Sequence, residues 1–337
     1  MIERFFHRWE QRLADVSRED RVVREFEWGL DWLPDGDWLR YDTPLAIVRA
    51  WVDSVMADTD AFFTPDPTRD YEFNATTGTL AFPSALVTPH PQNNVVHARF
   101  FPAKDKRRAI VVMPQWNSDA GGHIGLSQLL SRLGISALRL SKPYHDVRMP
   151  PELARADYIV SANVVRTLQV CRQAVLDARR ALWWLHSQGY EHLGLLGTSL
   201  GSCLSMLTAS HEPLVRVQAL NHVSPFFADV VWRGVSTSHV RQGLDGHIEL
   251  ETLRELWRPI SPWSYLERAR GKKTLLVYAK FDLTFPVDLS VKLVEEFRRR
   301  GINPDVAVLP CGHYSTGEAP FKFLDAYYLA RFLLGNL

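Results

Sequence analysis

The sequence predicts an α/β protein: a mostly parallel central sheet flanked by helices, with a small helical lid and a helical extension at the N-terminus. Three observations predict it. From about residue 94, short β-rich runs alternate with longer stretches of helical periodicity, the signature of right-handed crossovers around parallel strands. One such run, Leu193 to Leu196, passes through Gly-x-Ser-x-Gly directly into a helical pattern. Between the runs that begin at 217 and 274 lies an apolar stretch too long for a simple crossover.

Taken in order, residues 1 to about 85 show no regular alternation of strands and helices but contain one clear helix. Thr43 is a natural N-cap, Pro44 suits the first helical position, and Leu45, Val48, Trp51, Val52 and Val55 recur at helical spacing. With Trp28, Trp32, Trp38, Phe62 and Phe63 around it, this segment carries more apolar surface than a disordered tail and is expected to pack on a main domain spanning 86–337. The strands are expected at Val95 to Phe101, Ala109 to Met113, Ile135 to Leu140, Leu193 to Leu196, Val217 to Val223, Thr274 to Ala279 and Val306 to Leu309. Helices fit between them at Ile124 to Leu133, ended by Gly134, and Val287 to Arg300, ended by Gly301. Pro151 to Gly189 is too long for one ordinary helix, so two are expected, the second ending near Trp184 to Ser187. The lid is assigned to about 225–270, where Phe226, Phe227, Val231 and Trp232 precede a helix with Leu250, Leu253, Leu256 and Trp257.

Composition bounds the function. The chain has 337 residues, 46% of them hydrophobic, enough for one substantial core, and a formal charge of +1, so no global field recruits nucleic acid or an anionic membrane. Arg298, Arg299 and Arg300 are read as a solvated helix end, with nucleic-acid contact the minor alternative. The opening residues mix charges with aromatics unlike a secretory signal, and no apolar run approaches the roughly 18 residues that span a bilayer, so no transmembrane segment and a cytoplasmic protein are expected. Cys171, Cys203 and Cys311 are odd in number and far apart, which suggests reduced thiols rather than a disulfide framework or metal knuckle.

The chemistry begins at Gly197-Thr198-Ser199-Leu200-Gly201. A sharp strand-to-helix turn holds its central serine in a strained backbone conformation and leaves no room for side chains two positions away, a demand met by Gly197 and Gly201. The alternative is an ordinary N-cap serine in a glycine-rich helix start. A serine hydroxyl needs an imidazole to accept its proton. His313, in Leu309-Pro310-Cys311-Gly312-His313-Tyr314 beyond the last strand, is the only histidine after Asp282. The orienting carboxylate is assigned to Asp282, just past the strand Thr274 to Ala279. Its rival Asp288 sits at a helix start, where the helix dipole explains an acid, and at the preceding strand end, an alternative source of the acid, Ser224-Pro225 occupies the place and the nearest carboxylate, Asp229, is farther along.

An oxyanion formed at this serine needs two backbone amides. One is assigned to Leu200; the second falls in Pro114-Gln115-Trp116-Asn117-Ser118-Asp119, with Trp116 the first choice and Gln115 the second, while Asn117 and Asp119 equally suit a loop turn. Tyr144, His145 and Arg148 follow a strand end and are placed at the site's mouth, or else in loop hydrogen bonding. Phe226, Phe227 and Trp232 are assigned to the substrate pocket, Cys203 to a buried position on the elbow helix, and His123 and His222 to structural roles.

With strand, elbow, acid loop and histidine loop in their order, residues from about 95 to 334 resemble the α/β-hydrolase superfamily. Lys142-Pro143-Tyr144-His145-Asp146-Val147-Arg148-Met149-Pro150, Trp184-Leu185-His186-Ser187-Gln188-Gly189-Tyr190 and the elbow together are similar to α/β-hydrolase domain-containing protein 18 and its bacterial relatives; Ser202 departs from the smaller residue many superfamily members carry there. The resemblance implies the α/β-hydrolase fold, which hosts esterases, lipases, peptidases and non-hydrolytic members; the triad itself leads to the expectation of a serine hydrolase acting on a small-molecule ester without metal or organic cofactor. An amidase, peptidase or acyltransferase with the same triad, or a catalytically silent binding protein on the same fold, are the alternatives.

Overall fold

A computed structural model describes residues 2–16 and 20–337. The extension opens with helix α1 (Ile2–Val16), which sequence periodicity had not singled out, followed by α2 (Pro44–Ala57) and the short α3 (Thr59–Phe62). In α2 the Thr43 hydroxyl accepts the amide of Ala46 and Pro44 occupies the first turn, as the capping pattern predicts. Val48, Trp51, Val52 and Val55 face inward from it and join the largest core cluster.

Two strands then arise inside the segment expected to lack them. Strands β1 (Glu72–Asn74) and β2 (Thr79–Pro83) form a hairpin, and β2 pairs antiparallel with β3 (Val95–Phe101). The sheet therefore begins on the N-terminal side of residue 85. Periodicity missed the hairpin because β1 is short and has no buried residue and only Leu80 and Phe82 point inward from β2.

The remaining strands are β4 (Arg108–Met113), β5 (Ser136–Leu140), β6 (His192–Thr198), β7 (Val215–Asn221), β8 (Lys273–Ala279) and β9 (Asp305–Leu309). The sheet runs β1-β2-β3-β5-β4-β6-β7-β8-β9, antiparallel as far as β5 and parallel from β5 onward. Register aligns Met113 with Gly197, Thr198 with Asn221 and Ala279 with Leu309, so the carboxyl ends of β4, β6, β7, β8 and β9 lie along one edge. In open α/β sheets that edge is where ligands bind.

Helices cover both faces. Ala109, Val111 and Met113 of β4 face the cluster built with α5 (Val164–Ser187), whereas Ile110 and Val112 face the cluster built with α4 (Ile124–Arg132) and α11 (Phe321–Asn336). Helix α6 (Leu200–His211) follows the elbow, and α10 (Val287–Arg299) ends with Arg299 and Arg300 bonded to Glu296, the solvated-end reading of the triple arginine. Where two helices were expected over 151–189 there is one, α5. It starts only at Asn163, whose side chain accepts the amide of Arg166, because the preceding residues are drawn into a turn at Asp157–Ile159 and a bridge from Asn163 to Glu27.

The segment expected to form a lid folds into α7 (Phe227–Arg233), α8 (Ser238–Leu244) and α9 (Leu250–Leu256). Trp257 anchors it from below: the indole is fully buried, donates to the carbonyl of Val164 at 3.1 Å and meets Phe227 edge-on. No helix among the described residues is long and apolar enough to cross a membrane.

Candidate active site

The elbow between β6 and α6 has the geometry its glycines demand. Ser199 sits at φ 56°, ψ −121°, a backbone region that side-chain-bearing residues rarely occupy. A Cβ on Gly197 would stand 2.5 Å from the Ser205 hydroxyl and also strike the Gly201 carbonyl, and one on Gly201 would strike the carbonyls of Met113 and Pro114. The close approach of β4 to the start of α6 thus forbids any larger residue at 201. Ser202, the departure from the smaller residue, fits by donating its hydroxyl to the carbonyls of Ser199 and His222 at 2.7 and 2.8 Å.

Three distant segments meet at this serine. His313 Nε2 lies 3.1 Å from Ser199 Oγ, and His313 Nδ1 lies 3.0 Å from Asp282 Oδ2. Asp282 follows β8 and its other oxygen accepts the amides of Thr284 and Phe285 at 2.8 and 2.7 Å, which fixes the carboxylate before the imidazole arrives. Because a carboxylate can only accept from Nδ1–H, Nε2 keeps its lone pair for the hydroxyl proton. Burial alone would depress the His313 pKa, but the charge and hydrogen bond of Asp282 override it and raise it above the usual imidazole value. Burial pushes Asp282 up; the facing imidazoles outweigh that and hold it well below the ordinary carboxylate range. Phe285 stacks on the His313 ring at 5.2 Å, so the ring is restrained on its face as well as at both nitrogens. Asp288, the rival acid, is bound to exposed Arg233, and Asp229 to Arg254.

His222, assigned to a structural role from sequence, stands inside the site. It follows β7 at φ 55°, and its Nδ1 donates to the same Asp282 oxygen, 3.0 Å away. The two imidazole centroids are 4.6 Å apart. No signal in sequence separates it from any other histidine after a strand; only the register of β7 beside β8 brings it to the acid. His222, Asp282 and His313 offer ligand atoms within 4.8 Å of one another, a grouping of metal-binding type, although Asp282 Oδ2 already receives both N–H groups.

The loop after β4 is held from beneath. Lys142, buried and pushed down to about 7 by burial and by Arg139, donates to the Gln115 carbonyl at 3.0 Å. His145 gives its Nδ1–H to the Pro143 carbonyl, and its Nε2 accepts the amide of Asn117 at 3.1 Å. Burial and the nearby Lys142 keep that ring far below its usual pKa, as an acceptor must be. Asn117 and Asp119 serve the turn: the Asn117 side chain accepts the amide of Ala156, and Asp119 accepts those of Gly121 and Gly122. The amides of Asn117 and Ser118 are thereby consumed, whereas among the described residues those of Gln115, Trp116 and Leu200 have no protein partner.

A cavity of ≈ 780 Å³ opens above Ser199, lined by Trp116, Leu200, Phe226, Phe227, Val231 and Phe285 among others. Four residues expected at the pocket or its mouth are not on its wall. Tyr144 and His145 are buried beneath the β4 loop, where Tyr144 contacts His90 through its hydroxyl at 3.0 Å, and Arg148 is fully buried against Asp177 at 2.9 Å. For these, loop hydrogen bonding describes what they do. Trp232 is half-buried against the main core cluster beneath the Arg241 guanidinium and is off the cavity wall, to which α7 turns Phe227, Val230 and Val231 instead. Cys203 does reach the wall, its buried thiol raised in pKa by desolvation.

Residues 87–251 match the family model for α/β-hydrolase domain containing 18. No curated protein matches the chain by sequence. Among solved structures, the fold is similar to the Pyrococcus horikoshii acylaminoacyl peptidase, with a TM-score of 0.62 and 13% identity over 80% of this chain; the chain spans 42% of that protein's length. It is also similar to acetyl xylan esterase 1 from Thermoanaerobacterium sp. JW/SL YS485, with a TM-score of 0.58 and 16% identity, covering 87% of this chain and 99% of the esterase.

Proposed function

We propose that this chain, whose residues 87–251 match the α/β-hydrolase domain containing 18 family model and whose fold is similar to that of known hydrolases, is a serine hydrolase that cleaves a carboxylic ester through an acyl-enzyme. The single observation that carries the reading is the continuous line Asp282, His313, Ser199, with 3.0 and 3.1 Å links, ending at a serine on the wall of the ≈ 780 Å³ cavity.

In this scheme Ser199 Oγ attacks the ester carbonyl carbon while His313 Nε2 takes its proton, and Asp282 stabilises the imidazolium without accepting that proton. The amide of Leu200 and that of Trp116, or else Gln115, bind the oxyanion. Collapse expels the alcohol, which receives the proton from Nε2. Water then gives a proton to Nε2 and attacks the acyl-enzyme, and the acid leaves as Ser199 recovers its hydrogen. The scheme calls for no metal or organic cofactor. Phe226, Phe227, Val230 and Val231 on the lid side favour an apolar acyl group over a highly charged one.

The test is labelling with a fluorophosphonate probe, comparing wild type, Ser199→Ala and His313→Ala, followed by esters, amides and acyl acceptors supplied in parallel. Labelling confined to protein with both residues intact, and turnover of esters over amides, supports the reading. Equal labelling of wild type and Ser199→Ala places the nucleophile elsewhere, preferential cleavage of amides makes the chain a peptidase or amidase, and no labelling of folded wild type makes it a silent binding protein.

A further inference from the structure

The histidine loop is held partly from within, where the Gly312 amide donates to the Ser315 hydroxyl at 2.9 Å and the Gly312 carbonyl accepts the amide and the hydroxyl of Thr316 at 3.1 and 2.8 Å. After β9 the chain turns through Pro310, Cys311 and Gly312 to His313, and at the start of the next turn, Ser315–Gly317, the amides of Tyr314 and Ser315 call for acceptors. A carboxylate from the opposite end of the chain supplies them. Glu10, on α1 and fully buried, accepts the amide of Tyr314 through Oε2 and that of Ser315 through Oε1, each at 2.8 Å. Glu10 and Tyr314 are 304 positions apart. The fit is close enough to dictate a third residue: a Cβ on Gly312 would stand 2.6 Å from Glu10 Oε1. The same helix grips the acid loop, because Phe6 stacks on Phe281, the neighbour of Asp282, at 4.6 Å and 5°.

We propose that Glu10 is a positioning residue for the general base: its carboxylate sets the height and orientation of the His313 loop over Ser199, so that the N-terminal helix is part of the catalytic apparatus. The inference rests on the serine-hydrolase reading for its kinetic consequence, but the contact itself does not. A bidentate carboxylate bonded to the two amides that follow the base is a stiff support, and misplacing a base by about 1 Å costs on the order of a hundredfold in rate. Its negative charge also favours the imidazolium of His313, in the same sense as Asp282. The other groups facing that imidazole are His222 after β7 and Tyr314 in its own loop, whose hydroxyl is bonded to Arg21 and Ser236; Cys311 lies beside Glu10 and Thr316.

Glu10→Gln keeps the length and removes the charge, whereas Glu10→Asp keeps the charge and is too short to span both amides. Expected for Glu10→Gln is a fall in kcat of roughly tenfold with KM unchanged, the loss of charge from a buried hydrogen-bonded acceptor. The acid limb of kcat/KM moves to lower pH in the same variant. Glu10→Asp is expected to lose rate with the limb unmoved. The imidazole titration of His313, followed by NMR in a Ser199→Ala background, reads the coupling without turnover: its midpoint falls in Glu10→Gln and stays in Glu10→Asp. A merely structural role leaves that midpoint in place in both folded variants, and such a result overturns the inference. Failure of wild type to label at Ser199 strikes the serine-hydrolase reading instead, and the titration still decides whether Glu10 acts on His313.

Discussion

Asp282→Asn is the substitution whose consequence can be worked most fully from the geometry. The native carboxylate accepts four N–H groups: the amides of Thr284 and Phe285 on one oxygen, and the imidazoles of His222 and His313 on the other. An asparagine has one accepting end. If it keeps the backbone amides, its NH2 faces two N–H donors, and His313 must move its proton to Nε2 to relieve the conflict. The nitrogen beside Ser199 then carries hydrogen and cannot accept the hydroxyl proton. Loss of the correct tautomer at a triad of this kind lowers kcat by about 10⁴, equivalent to about 5.4 kcal/mol of barrier. The assay is steady-state hydrolysis of a chromogenic ester, with thermal melting to establish that the variant is folded. KM is expected to change little, since no Asp282 atom needs to touch substrate. Asp288→Asn is the control: its partner Arg233 and the carboxylate are both exposed, so it is expected to behave as wild type. A folded Asp282→Asn protein within tenfold of wild-type kcat would falsify the assignment.

The pH dependence has opposite signs for activity and for stability. His313 works as a base only when neutral, and Asp282 raises its pKa, so the acid limb of kcat/KM is expected above pH 6.5 in a pH–rate profile. The raised pKa stabilises the fold fully below pH 6.5 and is lost as pH rises through the folded value. The depressed Asp282 stabilises above pH 3.8 and is lost as pH falls toward its folded value; melting curves across this range check both limbs. Gly201→Ala is expected to abolish labelling of Ser199, because the added carbon strikes the carbonyls of Met113 and Pro114, the latter at 2.6 Å, and must push α6 from the β4 loop; normal labelling of folded variant protein would contradict this. Asp177→Asn leaves the fully buried Arg148 guanidinium without its counter-charge and is expected to cost about 3–5 kcal/mol, read as a drop in denaturant midpoint, with little effect on the KM of protein that remains folded.

The parts of this molecule that were legible in the sequence are those whose cause is local. The Thr43 cap, the parallel strands from β4 to β9, helix α9 and the Gly-x-Ser-x-Gly turn each follow from a pattern a few residues long. The expected catalytic trio could be picked out because chain order after the elbow leaves one histidine and few acids. What stayed illegible depends on neighbours far away in sequence. The short, exposed strand β1 has no inward pattern and exists because β2 pairs with β3. The start of α5 is moved to Asn163 by contact with Glu27. Tyr144 and His145 follow a strand end at the right edge of the sheet, yet their loop folds under β4 instead of over the cavity.

Sequence by itself determined the layered α/β architecture and the chemical types available at one sheet edge, because hydrophobic period and turn chemistry act over a single element. Tertiary structure alone decided that two imidazoles share one oxygen of Asp282, that among the described residues the amides of Gln115, Trp116 and Leu200 have no protein partner, and that Glu10 closes under the His313 loop. Each of those is a distance between atoms on different elements, set by strand register and helix packing, and no local pattern encodes such a distance.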